Sequence, residues 1–274
     1  MMAGEYDCGD DGLVVGTAGW AYGGWVGNFY PEGTTAGRQL SEYAKQLPAV
    51  EVDATFHHWI AHDTIRSWVY RTPPGFVFCP KMHRSITHDK SLEDCAEELE
   101  AFLSSVRLLG EKLGPVVIQF SPSFRPAQKE LLARFLEGLP TDIRFAVEVR
   151  SRRWTEPDPE PLLSLLRANR IAFVVSDVPT VSPQAFVTTG FAYARVLGDY
   201  NKTERMYREK GIEQFEQKFT GLILDRSEEL AAWAEYVRQL RGQNARVFLF
   251  FNNHFAGHAP STLAQFAALY RRGG

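Results

Sequence analysis

Eight short runs of strand-forming residues alternate with stretches of helical period along this chain, and no other feature constrains the fold so tightly. The runs are Leu13 to Ala18, Val50 to Thr55, Phe76 to Lys81, Val116 to Phe120, Phe145 to Arg150, Ile171 to Asp177, Phe191 to Gly198 and Arg246 to Asn253. Between them, apolar residues recur at helical spacing, as in Leu40, Tyr43, Ala44 and Leu47, or Leu230, Trp233, Val237 and Leu240. Strict alternation implies parallel strands joined by right-handed crossovers. Eight such strands close a barrel of about 250 residues. The expected fold is therefore α/β, a closed (β/α)8 TIM barrel with parallel strands. A doubly wound sheet would need a glycine-rich phosphate turn after the first strand. Here Gly16, Gly19, Gly23, Gly24 and Gly27 surround Trp20 and Trp25 without spelling G-x-G-x-x-G.

Composition agrees with a single packed body. The 274 residues are 45% hydrophobic, which excludes a disordered or low-complexity chain. Against 33 acidic side chains stand 30 basic ones, a net charge of -3, so bulk charge does not favour nucleic acid as a partner, although a local basic cleft survives that argument. Cys8, Cys79 and Cys95 fit neither a disulfide framework nor a zinc cluster. Residues 1–12 are expected to form a disordered acidic tail and residues 13–274 a single barrel domain. The tail lacks the basic and apolar regions of a signal peptide, and no apolar run approaches the roughly 18 residues of a membrane span. The expectation is a cytoplasmic protein with no membrane partner, its oligomeric state open.

Two segments depart from regularity. Val178 to Gly190 is rich in Pro, Ser and Thr and shows no helical period. Asp199 to Asp225 is long and polar, and reads equally as a lid over the barrel or as an added surface helix. The helix after the third strand buries Leu92, Cys95, Leu99, Phe102, Leu103 and Val106, with Ser91 and Asp94 spaced as a capping box.

Polar residues fall where a barrel keeps its active site, at the C-terminal strand ends. Period-two alternation puts Glu51, Asp53 and Thr55 on one face of the second strand, and Glu148 with Arg150 on one face of the fifth. Tyr193 and Arg195 share a face of the seventh. Lys81, Gln119 and Asp177 end the third, fourth and sixth strands, and Asn252 and Asn253 the eighth. For any one of these, a buried ion pair closing the barrel is as good an explanation as catalysis. For the set, function is favoured, because such charges are costly to desolvate and barrel enzymes gather them here.

All 7 histidines follow the second, third or eighth strand: His57, His58, His62, His83, His88, His254 and His258. Barrel closure would place them in one sector of the mouth. No H-E-x-x-H or comparable ligand pair occurs, so structural or hydrogen-bonding roles rank ahead of metal ligation. Cys79 reads as a small core residue, and no G-x-S-x-G elbow is present. Trp20, Tyr22, Trp25, Phe29 and Tyr30 form an aromatic cluster that could line a ligand site or plug one barrel mouth.

In order along the chain, Gly16-Thr-Ala-Gly19-Trp20, Phe29-Tyr30-Pro31, Val50-Glu51-Val52 with Thr55-Phe56, Thr87-His88, Gln119, Glu148-Val-Arg150 with Trp154, Asp177, Arg195 with Gly198, and Phe251-Asn252-Asn253 with Gly257-His258-Ala259 resemble the YecE-like family. This resemblance spans nearly the whole chain after the tail. It implies a TIM barrel and carries no established reaction. Four positions depart from the family pattern: Asp53 stands for the usual Asn, His57 for Tyr, Leu197 for His and Thr262 for Asn.

The sequence thus supports an enzyme of lyase, isomerase or hydrolase type, acting on a small polar anionic substrate. Arg150, Arg195 and Lys81 would hold its carboxylate or phosphate. Glu148, Asp177 or Lys81 would carry the catalysis, with Gln119, Asn252, Asn253, Glu51, Asp53, Trp20 and His88 lining the site. No cofactor is required. The alternatives are a metal-dependent phosphodiesterase on nucleic acid, with Glu51, Asp53, Glu148, Asp177 and histidines on a divalent ion, and a non-catalytic nucleotide- or sugar-binding protein.

Overall fold

In a computed structural model, which describes residues 4–179 and 183–273, the eight runs become β1 (Leu13–Ala18), β2 (Ala49–Val52), β3 (Val77–Pro80), β4 (Val116–Gln119), β5 (Phe145–Glu148), β6 (Ala172–Ser176), β7 (Phe191–Val196) and β8 (Arg246–Phe251). They pair in the order β3-β2-β1-β8-β7-β6-β5-β4, every ladder parallel. Between β3 and β4 the barrel is joined by isolated bridges only, Phe78 to Leu113 and Lys81 to Val117. There the Gly114 N–H donates to the Phe78 carbonyl at 2.7 Å and the Met82 N–H to the Val117 carbonyl at 2.8 Å. A Cβ at Gly114 would lie 2.6 Å from Cys79 Sγ and from Val77 Cγ1, so this join requires glycine. The eight parallel strands form a nearly closed α/β barrel, as the alternation implied.

Nine α-helices are described: α1 (Ala36–Tyr43), α2 (Ala54–His57), α3 (His62–Tyr70), α4 (Ala96–Arg107), α5 (Lys129–Glu137), α6 (Glu160–Ala168), α7 (Tyr200–Glu209), α8 (Ser227–Gly242) and α9 (Ala259–Arg272). The main core lies between barrel and helices, where Val50, Val52, Val147 and Val149 meet Leu40, Leu132, Leu163, Trp233 and Phe266. Burying each such side chain contributes roughly 1.5–3 kcal/mol before entropy is counted. The opposite face of the strands fills the barrel: Val14, Cys79, Val117, Val174, Phe191, Tyr193, Phe248 and Phe250 form a second, smaller core. Above that apolar layer the inward positions turn polar, and these hold the candidate site.

Several boundaries differ from the sequence expectation. Except for β4, which ends on Gln119, the strands with polar ends stop short of them: Asp53 already has helical backbone, and Thr55 sits in α2. The Thr55 hydroxyl is bound to the Val52 and Lys81 carbonyls at 2.7 and 2.8 Å, tying β2 to β3 instead of facing the barrel interior. The capping box at Ser91 and Asp94 does not form. Both residues and Leu92 have positive φ, and α4 begins only at Ala96. Residues 177–179 and 183–190 contain no helix, as their composition suggested, and residues 180–182 lie outside the described residues. The polar stretch after β7 is partly a helix, α7.

The tail expected to be disordered is docked over residues 6–10. Tyr6 packs edge-on against Phe29, and Asp10 accepts from Arg241 Nε at 2.8 Å and from the Tyr270 hydroxyl at 3.0 Å. Residues 1–3 of that tail lie outside the described residues. Among the described residues, no helix is long and apolar enough to cross a membrane.

Candidate active site

Glu51 from β2, Glu148 from β5 and Arg195 from β7 occupy the same inward layer, one step above the apolar filling. Arg195 is their hub. Its Nε and Nη2 donate to Glu51 Oε1 at 3.1 and 2.6 Å, and its Nη1 to Glu148 Oε2 at 2.5 Å. Glu51 Oε2 accepts from the Tyr193 hydroxyl at 2.8 Å. Glu148 Oε1 receives Ser176 Oγ at 3.1 Å and lies 2.8 Å from Arg150 Nε. Arg150 Nη2 in turn donates to Gln119 Oε1 at 3.1 Å. Nearer the surface, Asp53 Oδ1 lies 3.5 Å from Arg195 Nη2 and 3.8 Å from Lys81 Nζ, which rests 4.0 Å above the Phe56 ring.

Depth separates these groups into two tiers. The side chains of Glu51, Glu148 and Arg195 are 0%, 0% and 2% exposed, whereas those of Arg150 and Asp53 are 22% and 34% exposed. The two buried acids are driven apart in acidity. Burial pushes the Glu51 carboxyl up, and Arg195 only partly opposes it. Burial acts on Glu148 too, but Arg150 and Arg195 outweigh it and bring that carboxyl down to about 2. For Lys81, burial pushes the amine down, and Asp53 pulls against that shift.

Over this network opens a cavity of about 300 Å³. Asp53, His57, Lys81, Gln119, Arg150, Arg195, Asn252 and His254 line it from the barrel, and Asp199, Tyr200 and Asn201 from the start of α7. The Asp199 carboxylate accepts from the Asn201 and Lys202 N–H groups at 2.9 and 3.2 Å, which fixes the first turn of α7 at the rim. Larger cavities of about 610 and 600 Å³ lie elsewhere. Neither is lined by the fully buried charges found here, so the smaller one is the better candidate.

Of the residues singled out in the sequence, the mouth thus gathers Glu51, Asp53, Lys81, Gln119, Glu148, Arg150, Arg195 and Asn252. Four others lie elsewhere. The Asp177 carboxylate accepts from the Leu197 and Gly198 N–H groups at 2.7 and 3.0 Å and faces Trp233 on α8 at 3.5 Å. It secures the turn after β7, where Gly198 has φ +71° and a Cβ would meet Phe255 at 2.5 Å. Asn253 Oδ1 holds Trp25 Nε1 at 3.2 Å and the Ala259 N–H at 2.8 Å. Trp20 packs edge-on to Trp68 and Phe78 outside the barrel, and His88 packs against Phe56 and contacts Thr87 Oγ1.

The histidines do not converge. His57 and His254 line the cavity, while His83 stacks on Trp59 at 4.1 Å and His258 caps α9. Among the described residues, no group of three His, Cys, Asp or Glu side chains is placed to hold a metal ion. Sequence reasoning did not single out Tyr193, Tyr200, Asn201 or His254 as site residues. The polar alternation of β7 carried the first, and the Asp199 cap just after β7 would have pointed to the next two.

Of the four departures from the family pattern, Asp53, His57 and Leu197 line the cavity. Thr262 is buried in α9 and donates to the His258 carbonyl at 2.9 Å.

Comparison with known proteins agrees with this architecture. Residues 14–273 match the family described as protein of unknown function DUF72. The chain is 29% identical over 274 residues to the UPF0759 protein YunF of Bacillus subtilis, covering 94% of each. It is 28% identical over 138 residues to the UPF0759 protein YecE of Escherichia coli, covering 50% of this chain and 48% of that protein. A crystal structure of a DUF72 family protein from Thermotoga maritima superposes with TM-score 0.76 at 29% identity, over 94% of this chain and 98% of that one. One from Enterococcus faecalis, 23% identical, superposes with TM-score 0.74 over 94% and 95% of the two chains and shares the fold.

Proposed function

Because the chain belongs to the DUF72 family, whose function is unknown, its activity must be read from its own site, and we propose an enzyme acting on a small polar substrate that bears a carboxylate or phosphate. The observation that carries this reading is Lys81: a desolvated amine on the wall of a small polar cavity, at the barrel end where such enzymes do their chemistry.

Roles follow from depth. Arg150 is the most exposed guanidinium of the network and the natural contact for the anionic group. Arg195, only 2% exposed and held by Glu51 and Glu148, organises the floor, while Arg150, paired to Glu148 and Gln119 but 22% exposed, lies where substrate can reach it. A carboxyl near 2 is a weak base at neutral pH, so Glu148 serves to orient the two arginines. Asp177, bound to backbone N–H groups away from the cavity, is assigned to the scaffold. The reactive groups of the cavity are then the Lys81 amine and the Asp53 carboxylate beside it, in a reaction of lyase, isomerase or hydrolase type. Gln119 and Asn252 can hydrogen-bond substrate hydroxyls or carbonyls.

Calorimetric titration with inorganic phosphate, citrate and glycerol 3-phosphate tests the reading. Saturable binding of at least one is expected, weakened about tenfold or more in Arg150→Lys, which keeps the charge and loses the planar fork. If none of the three binds, or Arg150→Lys binds as the wild type does, the reading fails.

A further inference from the structure

We propose that Lys81 is a Schiff-base nucleophile, and that the substrates of the mouth are small carbonyl compounds carrying a carboxylate or phosphate. This rests on the reading of the mouth as the active site and narrows its substrate class.

Lys112 shows how this chain satisfies a structural lysine. Its amine donates to the Val69 and Thr72 carbonyls and to Thr72 Oγ1 at 2.7, 2.6 and 2.9 Å. Lys218 and Lys90 reach Glu204 and Glu98 at 2.7 Å. Lys81 is treated differently. Its side chain is 9% exposed, yet the nearest carboxylate, Asp53, stands 3.8 Å away, beyond hydrogen-bonding distance, and beneath the amine lies the face of the Phe56 ring, which holds an ammonium more weakly than a hydrogen-bonded carboxylate does. The Arg195, Glu51 and Glu148 charges around it are spent largely on one another. His57 lines the same cavity and His88 packs edge-on against the Phe56 ring, and burial holds both imidazoles below the ordinary histidine range.

A lysine desolvated in this way keeps more of its amine neutral at working pH, and the neutral amine is the nucleophile. Arg150 lines the same cavity and can anchor an anionic group while the carbonyl carbon meets Nζ. A volume of about 300 Å³ sits at the small end for a ligand site and suits a substrate of a few carbon atoms.

The step balances without a further reagent. The Nζ lone pair forms the C–N bond, and the carbonyl π pair moves to oxygen. One proton leaves Nζ and reaches that oxygen by way of Asp53. The nitrogen lone pair then forms C=N, and the C–O bond breaks as a second proton, from solvent, carries the oxygen away as water. The resulting iminium can accept the electron pair of an adjacent C–H or C–C bond, which fits a lyase or isomerase.

Borohydride trapping tests this on the wild-type protein at pH 7, with glyoxylate and dihydroxyacetone phosphate as probes and peptide mass spectrometry as readout. Reduction converts the iminium to a stable secondary amine. Lys81 is expected to be labelled at least about tenfold more than any other lysine by one or both probes. Excess inorganic phosphate should suppress that labelling, and Lys81→Arg should lack it. Labelling of Lys81 no greater than that of surface lysines overturns the proposal. If both probes then still bind by calorimetry, the active-site reading stands and only the covalent step is lost. If neither binds, both fall.

Discussion

Arg195 is surrounded by more acid than it can neutralise, with Glu51, Glu148 and Asp53 all within 3.5 Å of its guanidinium. Glu148 alone also meets Arg150, and this second cation separates its acidity from that of Glu51. Burial raises the one carboxyl and the two guanidinium groups lower the other, so the environments of the pair push their acidities in opposite directions. Glu148→Gln would leave Arg150 and Arg195 short of a counter-charge beneath the cavity. A loss of stability of about 3 kcal/mol is expected by denaturant titration, as for other broken buried pairs. A loss below about 1 kcal/mol would show that Glu51 suffices and that Glu148 is free for chemistry. Alternation along β2, β5 and β7 made the shared face of these groups legible in the sequence. The direction in which each acid shifts was not legible, because that depends on how many guanidinium groups reach each carboxylate across the barrel.

Elements were legible where periodicity sets them and obscure where backbone geometry does. The apolar stripe of α8 and the alternating faces of β5 could be read directly. Ser91 to Asp94 could not: the spacing of a capping box is there, but left-handed φ values at Ser91, Leu92 and Asp94 divert the chain and delay α4. Strand ends were overestimated for a related reason, since hydrogen bonds such as those of Thr55 end pairing before the side-chain pattern does.

The start of α9 offers a test at this scale. His258 Nδ1 accepts from the Ser261 N–H at 3.2 Å, so the cap needs that nitrogen unprotonated. Burial pushes its imidazole down to about 4 from 6.5. The unfolded chain binds the proton more readily across this window, so stability should fall as pH drops from 6.5 toward 4. This site alone contributes up to about 3 kcal/mol of that loss. His57, His83, His88 and His254 are lowered by burial too and act in the same direction. His258→Asn retains a capping oxygen and cannot titrate, so the acid slope measured by thermal melts should flatten. An unchanged slope would assign it to the other histidines.

Across the whole molecule, closure between β3 and β4 by the Phe78–Leu113 and Lys81–Val117 bridges brings Lys81 into one cavity with Gln119, Arg150 and Arg195. Strand count and alternation announced the barrel, and the polar strand ends announced the face that gathers its buried charges. The contribution of α7 to the rim was hidden, because a polar stretch of that length reads alike as lid or helix. The proposed chemistry depends most on the state of one amine. A ¹³C-detected titration of the lysine side chains, with the Lys81 signal assigned by its loss in Lys81→Arg, measures that state directly. Lys81 is expected to ionise below the ordinary lysine value of 10.5. A Lys81 signal that titrates at that value or above it would contradict the desolvated amine on which the proposed chemistry stands.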